Sequence, residues 1–113
     1  MAERCIFCRI VAGEVPASFL HQDEEVIAFR DIEPQAPTHI LVVPKAHIPS
    51  IGELGQSELI GRLIQVANQV AQKEGIAKAG YRLVINCGRE GGQVVPHLHL
   101  HLLGGRKLSG SLG

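Results

Sequence analysis

Val94-Val95-Pro96-His97-Leu98-His99-Leu100-His101-Leu102-Leu103-Gly104-Gly105 is the stretch on which the reading of this chain turns, with a histidine at every second position from 97 to 101. Successive side chains of a β-strand point to opposite faces. A strand over Val94–Leu103 therefore sets His97, His99 and His101 on one face and Leu98, Leu100 and Leu102 on the other. The leucine face must pack on a core, and the histidine face must border a cleft. Solvation alone does not call for the pattern, because Thr or Lys would solvate an open face as well. A single metal ion does not explain it either. Alternate residues lie about 6.6 Å apart along a strand, so His97 and His101 are separated by roughly 13 Å. Zinc holds its nitrogen ligands at about 2.0–2.1 Å, so at least one of the three does something else. Phosphate chemistry fits better: a neutral imidazole can attack phosphorus while its neighbour hydrogen-bonds a phosphoryl or leaving-group atom near neutral pH. The turn Gly88-Arg89-Glu90-Gly91-Gly92 leads into this stretch, and its glycines let backbone N–H groups approach phosphate oxygens.

Outward from there, Ser57–Glu74 is the one long helix. Leu59, Leu63, Val66 and Val70 recur at the helical period beside Ile60, Ile64, Ala67 and Ala71, with Ser57 as start cap and Gly75 as end cap. Cys5–Val11 reads as a short helix stopped by Gly13 and Pro16. Phe19–His21 and Val26–Arg30 flank an acidic turn and read as a hairpin. His39–Val43 is a buried strand, and Tyr81–Asn86 precedes the glycine turn. Strands on both sides of one helix give an α+β domain with a mostly antiparallel sheet.

The 113 residues suffice for one domain, 1–113, with flexible ends expected at 1–4 and 107–113. Hydrophobic residues make up 45% of the chain, enough for a core. Formal charge is zero, and no basic stripe points to nucleic acid. No apolar run reaches the roughly 20 residues of a membrane span, and no signal peptide follows Met1. A cytoplasmic protein is expected, with Cys5, Cys8 and Cys87 reduced, Cys87 as a buried neutral thiol. His21 is expected to be a surface histidine.

The run His97-Leu98-His99-Leu100-His101-Leu102-Leu103 matches His-φ-His-φ-His-φ-φ, φ being apolar. With it go Phe29-Arg30-Asp31-Ile32, Pro34-Gln35-Ala36-Pro37-Thr38-His39, Val43-Pro44-Lys45-Ala46-His47, Asn86 and Gly91-Gly92-Gln93. By these motifs, over Cys5–Arg106, the chain resembles the histidine triad (HIT) family, in its small Hint-type branch. The resemblance implies a HIT-like fold: a five-stranded sheet per protomer, with one long and one short N-terminal helix, dimerising into a ten-stranded sheet. It also implies a nucleoside 5'-phosphoramidase that cleaves P–N bonds of AMP- or GMP-linked amines such as AMP-lysine. By position, His99 is then the nucleophile that forms a nucleotidyl-histidine. His101 bonds the phosphate or leaving group, and His97 and His39 support the triad. The nucleoside pocket maps onto Ile6, Phe7, Ile10, Phe29, Arg30, Asp31 and Ile32, with Asp31 on the ribose hydroxyls. Asn86, Gly92, Gln93 and Val94 line the phosphate site with His99 and His101. No cofactor is required for this chemistry.

Read on their own, several of these residues have plainer roles: Asp31 as a loop cap, Ile6 and Ile10 as core, and Asn86 as a turn residue. Two departures from the family pattern matter. A serine or threonine usually follows Gly-Gly-Gln, where this chain has Val94, which cannot hydrogen-bond. The tail tryptophan and two prolines of the eukaryotic type are absent. In some bacterial-type relatives a Cys-x-x-Cys binds zinc with two histidines. The matching set is Cys5, Cys8, His47 and His97, a structural zinc site if filled and otherwise two small apolar thiols. Competing readings are a nucleotide-binding regulatory module with little turnover, to which Val94 points, a HIT hydrolase of dinucleoside polyphosphates or nucleotide sugars, and a metal-dependent hydrolase.

Overall fold

Period-two alternation along the strands sorts the side chains of the sheet into two apolar clusters, one on each face. The computed structural model describes residues 5–113, so the flexible end expected at 1–4 lies outside the described residues. The chain runs α1 (Ile6–Val11), β1 (Phe19–Gln22), β2 (Val26–Arg30), β3 (Thr38–Pro44), a 3-10 turn (Ile51–Glu53), α2 (Ser57–Lys73), β4 (Tyr81–Val84) and β5 (Leu100–Gly104). The strands form one five-stranded antiparallel sheet in the order β1-β2-β3-β5-β4. The α+β class and the two helices are as expected. Central β3 is buried along its whole length.

On one face Val26, Ala28, Ile40, Val42, Leu98, Leu100 and Leu102 meet Leu63, Val66, Ala67, Val70 and Ala71 of α2. The leucines between the histidines thus pack on the long helix, as their spacing requires. Ile64, counted in the apolar rows, lies on the exposed flank. On the other face Ile27, Phe29, Leu41 and Val43 meet Phe7 and Ile10 of α1.

Helix α2 ends as its sequence dictates. Gly75 has φ +76° and donates to Gln72 O, while the Ile76 N–H reaches Ala71 O and its side chain enters the core. This is a Schellman stop. At the other end the cap is Gln56 without a side-chain hydrogen bond, and Ser57 is the first helical residue rather than the cap.

The last strand is shorter than expected. Pairing begins at Leu100, opposite Val42, instead of at Val94. Pro96 and Pro44 each lack the N–H a ladder needs, and the His97 N–H turns back to Val95 O at 2.8 Å. Side-chain alternation nevertheless persists through 97–99, because Leu98 stays on the α2 side and its N–H is held by Ile48 O at 2.6 Å. Strand β4 likewise stops at Val84, before Asn86. Residues 107–113 carry no regular structure, and the Arg82 guanidinium holds Ser109 O at 2.6 Å.

Candidate active site

His39 on β3 lies opposite Leu103, and His101 on β5 lies opposite Leu41, so the two imidazoles are diagonal neighbours on the α1 side of the sheet. They border a cavity of about 560 Å³. His99 lines it too, with its ring between those of Phe7 (centroids 5.1 Å apart) and His101 (5.0 Å). His97 does not border this cavity. It is 0% exposed and turned under α1, because the chain at 95–97 bends rather than runs straight.

Hydrogen bonds fix where each ring carries its proton. His99 Nδ1 lies 2.7 Å from His97 O. A carbonyl only accepts, so neutral His99 holds its proton on Nδ1 and keeps the lone pair on Nε2. The Gln35 backbone N–H lies 3.0 Å from His39 Nδ1, and an amide only donates, so the His39 proton sits on Nε2. From there it points at His101 Nδ1 (2.9 Å) and Asp31 Oδ2 (3.4 Å). His101 accepts at Nδ1 and keeps its own proton on Nε2. Nucleophilic lone pair and hydrogen-bond donor are thus set on adjacent rings.

Burial favours the neutral form of His101, His39 and His97. His101 is lowered from 6.5 to about 4, by burial first and then by His99 and His39, with Asp31 acting the other way. His39 is lowered by burial against the raising effect of Asp31. His97 is lowered by burial too, against its bond to Pro44 O and together with His47 and His99.

Two donor clusters have the compactness for a metal: Cys5, Cys8, His47 and His97, and Asp31, His39 and His101. The hydrogen bonds separate them. His97 Nε2–H donates to Pro44 O at 2.8 Å, which leaves a lone pair on Nδ1 facing the sulfurs. That Nδ1 lies 3.3 Å from Cys5 Sγ, 3.6 Å from Cys8 Sγ and 3.1 Å from His47 Nδ1, and His47 Nδ1 lies 3.3 Å from Cys8 Sγ. Tetrahedral zinc sets such donors roughly 3.3–3.8 Å apart, so this set fits the ion. In the other cluster a metal on His39 Nε2 would need its proton moved to Nδ1, where the Gln35 amide already donates. That cluster is a hydrogen-bond relay.

The remaining expected site residues divide by location. Ile6, Phe7, Ile10, Phe29, Asp31, Ile32, Asn86, Gly92 and Val94 line the cavity. Ile10 is buried and Ile6 partly exposed, so only Ile10 is also core. Asp31 caps its loop through the Glu33 N–H (2.9 Å) and still faces the cavity, so both readings of it apply. Arg30 contributes to the lining, but its guanidinium is held at 2.8 Å by Glu74, the residue that caps the end of α2, across the sheet from Phe29. Gln93 is not part of the lining. Its side chain accepts from the Gly88 N–H (2.9 Å) and donates to Pro49 O (2.7 Å) and Val95 O (2.9 Å), bracing the glycine turn. At the mouth Val94 and Ile32 are 88% and 95% exposed. Cys87, expected to be buried, is exposed. His21, expected at the surface, is partly buried and bonded to Asp23 at 2.5 Å. Sequence reading missed Val15, Ala17, Leu41 and Val95 in the lining, since apolar positions carry no chemical signature. It also missed the role of the Gln35 amide, a backbone group any residue could supply.

An antiparallel sheet with imidazoles of opposite hydrogen-bonding sense over an apolar cavity defines a histidine-cluster protein. The HIT domain family model matches residues 12–108, and the chain belongs to that family. It is 51% identical over 110 residues to the purine nucleoside phosphoramidase of Escherichia coli (strain K12), covering 96% of this chain and 92% of that one. It is 48% identical over 108 residues to a 14 kDa zinc-binding protein of Zea mays, covering 92% and 84%. Among solved structures, a HIT family hydrolase from Legionella pneumophila Philadelphia 1 superposes with a TM-score of 0.94 at 49% identity, covering 96% of this chain and 99% of that one.

Proposed function

We propose that this protein is a purine nucleoside phosphoramidase, cleaving the P–N bond of nucleoside 5'-phosphoramidates through a nucleotidyl-His99 intermediate. The observation that carries the reading is the bond from His99 Nδ1 to His97 O, which leaves Nε2 unprotonated beside the cavity. The name of the Escherichia coli relative, at half-identity over nearly the whole chain, supports the same reaction class.

His99 Nε2 attacks the α-phosphorus, forming a P–N(His) bond as the bond to the leaving nitrogen breaks. His101 Nε2–H hydrogen-bonds that nitrogen, which takes its proton from solvent through the mouth between Ile32 and Val94 and departs as a neutral amine. Water then attacks phosphorus and breaks the P–N(His) bond. It returns one proton to solvent, releasing the nucleoside monophosphate and neutral His99. Phe7, Ile10, Phe29 and Leu41 offer the base an apolar slot, and Asp31 is placed to accept from the ribose hydroxyls. His39 orients His101, and His97 orients His99 through its carbonyl. Gly92 and Asn86, which also line the cavity, would face the phosphate.

Cys5, Cys8, His47 and His97 would hold a structural zinc that ties α1 to the segment before His99, and the chemistry needs no cofactor. Two chains joined along β4, whose only pairing in the sheet is to β5, would make the ten-stranded dimer. A cytoplasmic location, where thiols stay reduced, is part of this reading. No helix among the described residues is long and apolar enough to cross a membrane.

The test is incubation with adenosine 5'-phosphoramidate, with and without EDTA, beside His99→Ala. AMP release that survives chelation and falls by about 10⁴-fold or more in the variant is expected. Binding without release would instead support a regulatory module, the reading Val94 favours. Cleavage of dinucleoside polyphosphates alone would support a HIT hydrolase of that substrate class.

A further inference from the structure

We infer that Arg106 is a positioning residue that sets which ring nitrogen of His101 carries the proton, acting from outside the cavity, a role that rests on the phosphoramidase reading only for its kinetic consequence. The Arg106 guanidinium donates to Gln35 O at 3.0 Å. The N–H of the same Gln35 donates to His39 Nδ1 at 3.0 Å, and His39 Nε2–H donates to His101 Nδ1 at 2.9 Å. The Gln35 side chain in turn donates to Glu33 O, so Gln35 is held from three sides.

A second contact braces the same loop. Gly105 has φ +94°, and a Cβ there would lie 2.9 Å from Pro37 Cβ. The turn Gly104-Gly105-Arg106 is therefore seated directly on the loop that carries the Gln35 amide, and Arg106 fastens it. No carboxylate pairs with Arg106 among the described residues; its guanidinium donates to the backbone carbonyls of Lys107 and Gln35. Its charge is thus directed at loop geometry.

The direction of the relay depends on that amide. A donor aimed at His39 Nδ1 forbids a proton there, which forces one onto Nε2 and makes His101 Nδ1 an acceptor. Without the donor both rings can invert: His39 takes its proton on Nδ1, accepts at Nε2 from His101 Nδ1–H, and His101 turns a lone pair where it had offered N–H. The inverted cluster keeps the His39–His101 contact but gives up the Nε2–H that faces Asp31 Oδ2 at 3.4 Å, so the Gln35 donor and Asp31 hold the same sense from the two ends of the His39 ring. A leaving nitrogen that develops negative charge loses its donor, and the loss is greatest for strongly basic amines.

The experiment uses the full chain, ¹⁵N-labelled, with ring nitrogen–proton correlation spectra of the wild type, Arg106→Ala and Arg106→Lys. The wild type is expected to show only Nε2–H on His39 and His101. Arg106→Ala is expected to show Nδ1–H on both rings for about nine-tenths of molecules, with Arg106→Lys, which keeps a donor, closer to wild type. Should Arg106→Ala not fold, Arg106→Met, which keeps the length of the stem and removes the donor, is compared with the wild type for the same shift. Kinetically, Arg106→Ala should lose about tenfold in kcat on an alkylamine phosphoramidate of AMP and less than about twofold on an arylamine one, with KM steady. Variant rings that stay wholly Nε2–H, or equal losses on the two amines, overturn the inference. A wild type that cleaves neither amine refutes the phosphoramidase reading instead, and the ring spectra still decide on Arg106.

Discussion

His101 and His39 sit where a proton is unwelcome, and the reason is geometric: both are drawn in from solvent and each faces another imidazole. Below its ordinary 6.5 a histidine in the unfolded chain takes up a proton that the folded His101, lowered to about 4, refuses. Unfolded protein therefore binds more protons as pH falls through that window, and stability declines with it. The carboxyl of Asp23 acts lower on the scale. Burial raises it, but bonds from His21, from the Glu25 and Val26 N–H groups and from Arg62 outweigh burial and hold it well below its ordinary 3.8. Its contribution is present above that value and is lost as pH falls further. Denaturant unfolding across pH should show a plateau above about pH 7 and a fall on the order of 2 kcal/mol between pH 6.5 and 4. His101→Asn should flatten much of that slope. A wild-type profile level to pH 4 would contradict the assignment.

Between the histidines, the leucines decide whether the β5 segment can hold them still. Leu100 is buried against α2 with Leu98 and Leu102. Leu100→Ala should cost about 2–5 kcal/mol, read as a lower denaturant midpoint, because that core has little freedom to collapse. A cost under about 1 kcal/mol would mean that the leucine face is not tightly packed. Much at this scale was legible in sequence. Helix α2 announced itself by five buried positions at helical spacing, and β3 by an unbroken apolar run. The ends were less legible. Pro96 lay inside the expected strand, and reading the His/Leu alternation as pairing overrode it. Alternation reports which way side chains point, whereas pairing needs N–H groups that two prolines do not supply. Cys87 was misjudged for a related reason: its type favours burial, but its turn lies at the surface.

The whole molecule is a sheet with a long helix on one side and a small N-terminal helix over the working face. The four-donor set of Cys5, Cys8, His47 and His97 joins α1, the segment after β3 and the approach to β5. With zinc bound there, removing it should loosen the wall of the cavity that α1 forms. Elemental analysis is expected to give about one zinc per chain, and stripping the metal to lower Tm by at least about 5 °C. A metal-free protein with unchanged Tm would remove zinc from the account. The sequence led to the triad, the Cys-x-x-Cys and Asp31 through motif. It did not lead to the Gln35 amide or to the bracing by Gln93 and Arg106, because those act through backbone groups or at a distance along the chain that only folding closes. Nor did spacing alone show that His97 leaves the row of three to face the sulfurs.

The central claim is a covalent bond between His99 and phosphorus during turnover, and rapid base-quench mass spectrometry of the intact protein reads it directly. Mixed with excess adenosine 5'-phosphoramidate and quenched in base, which spares the acid-labile P–N(His) bond, the chain should gain one nucleotidyl group within the first turnover, mapped by fragmentation to His99 and absent from His99→Ala. Turnover with no such adduct, or an adduct on another residue, would contradict the account.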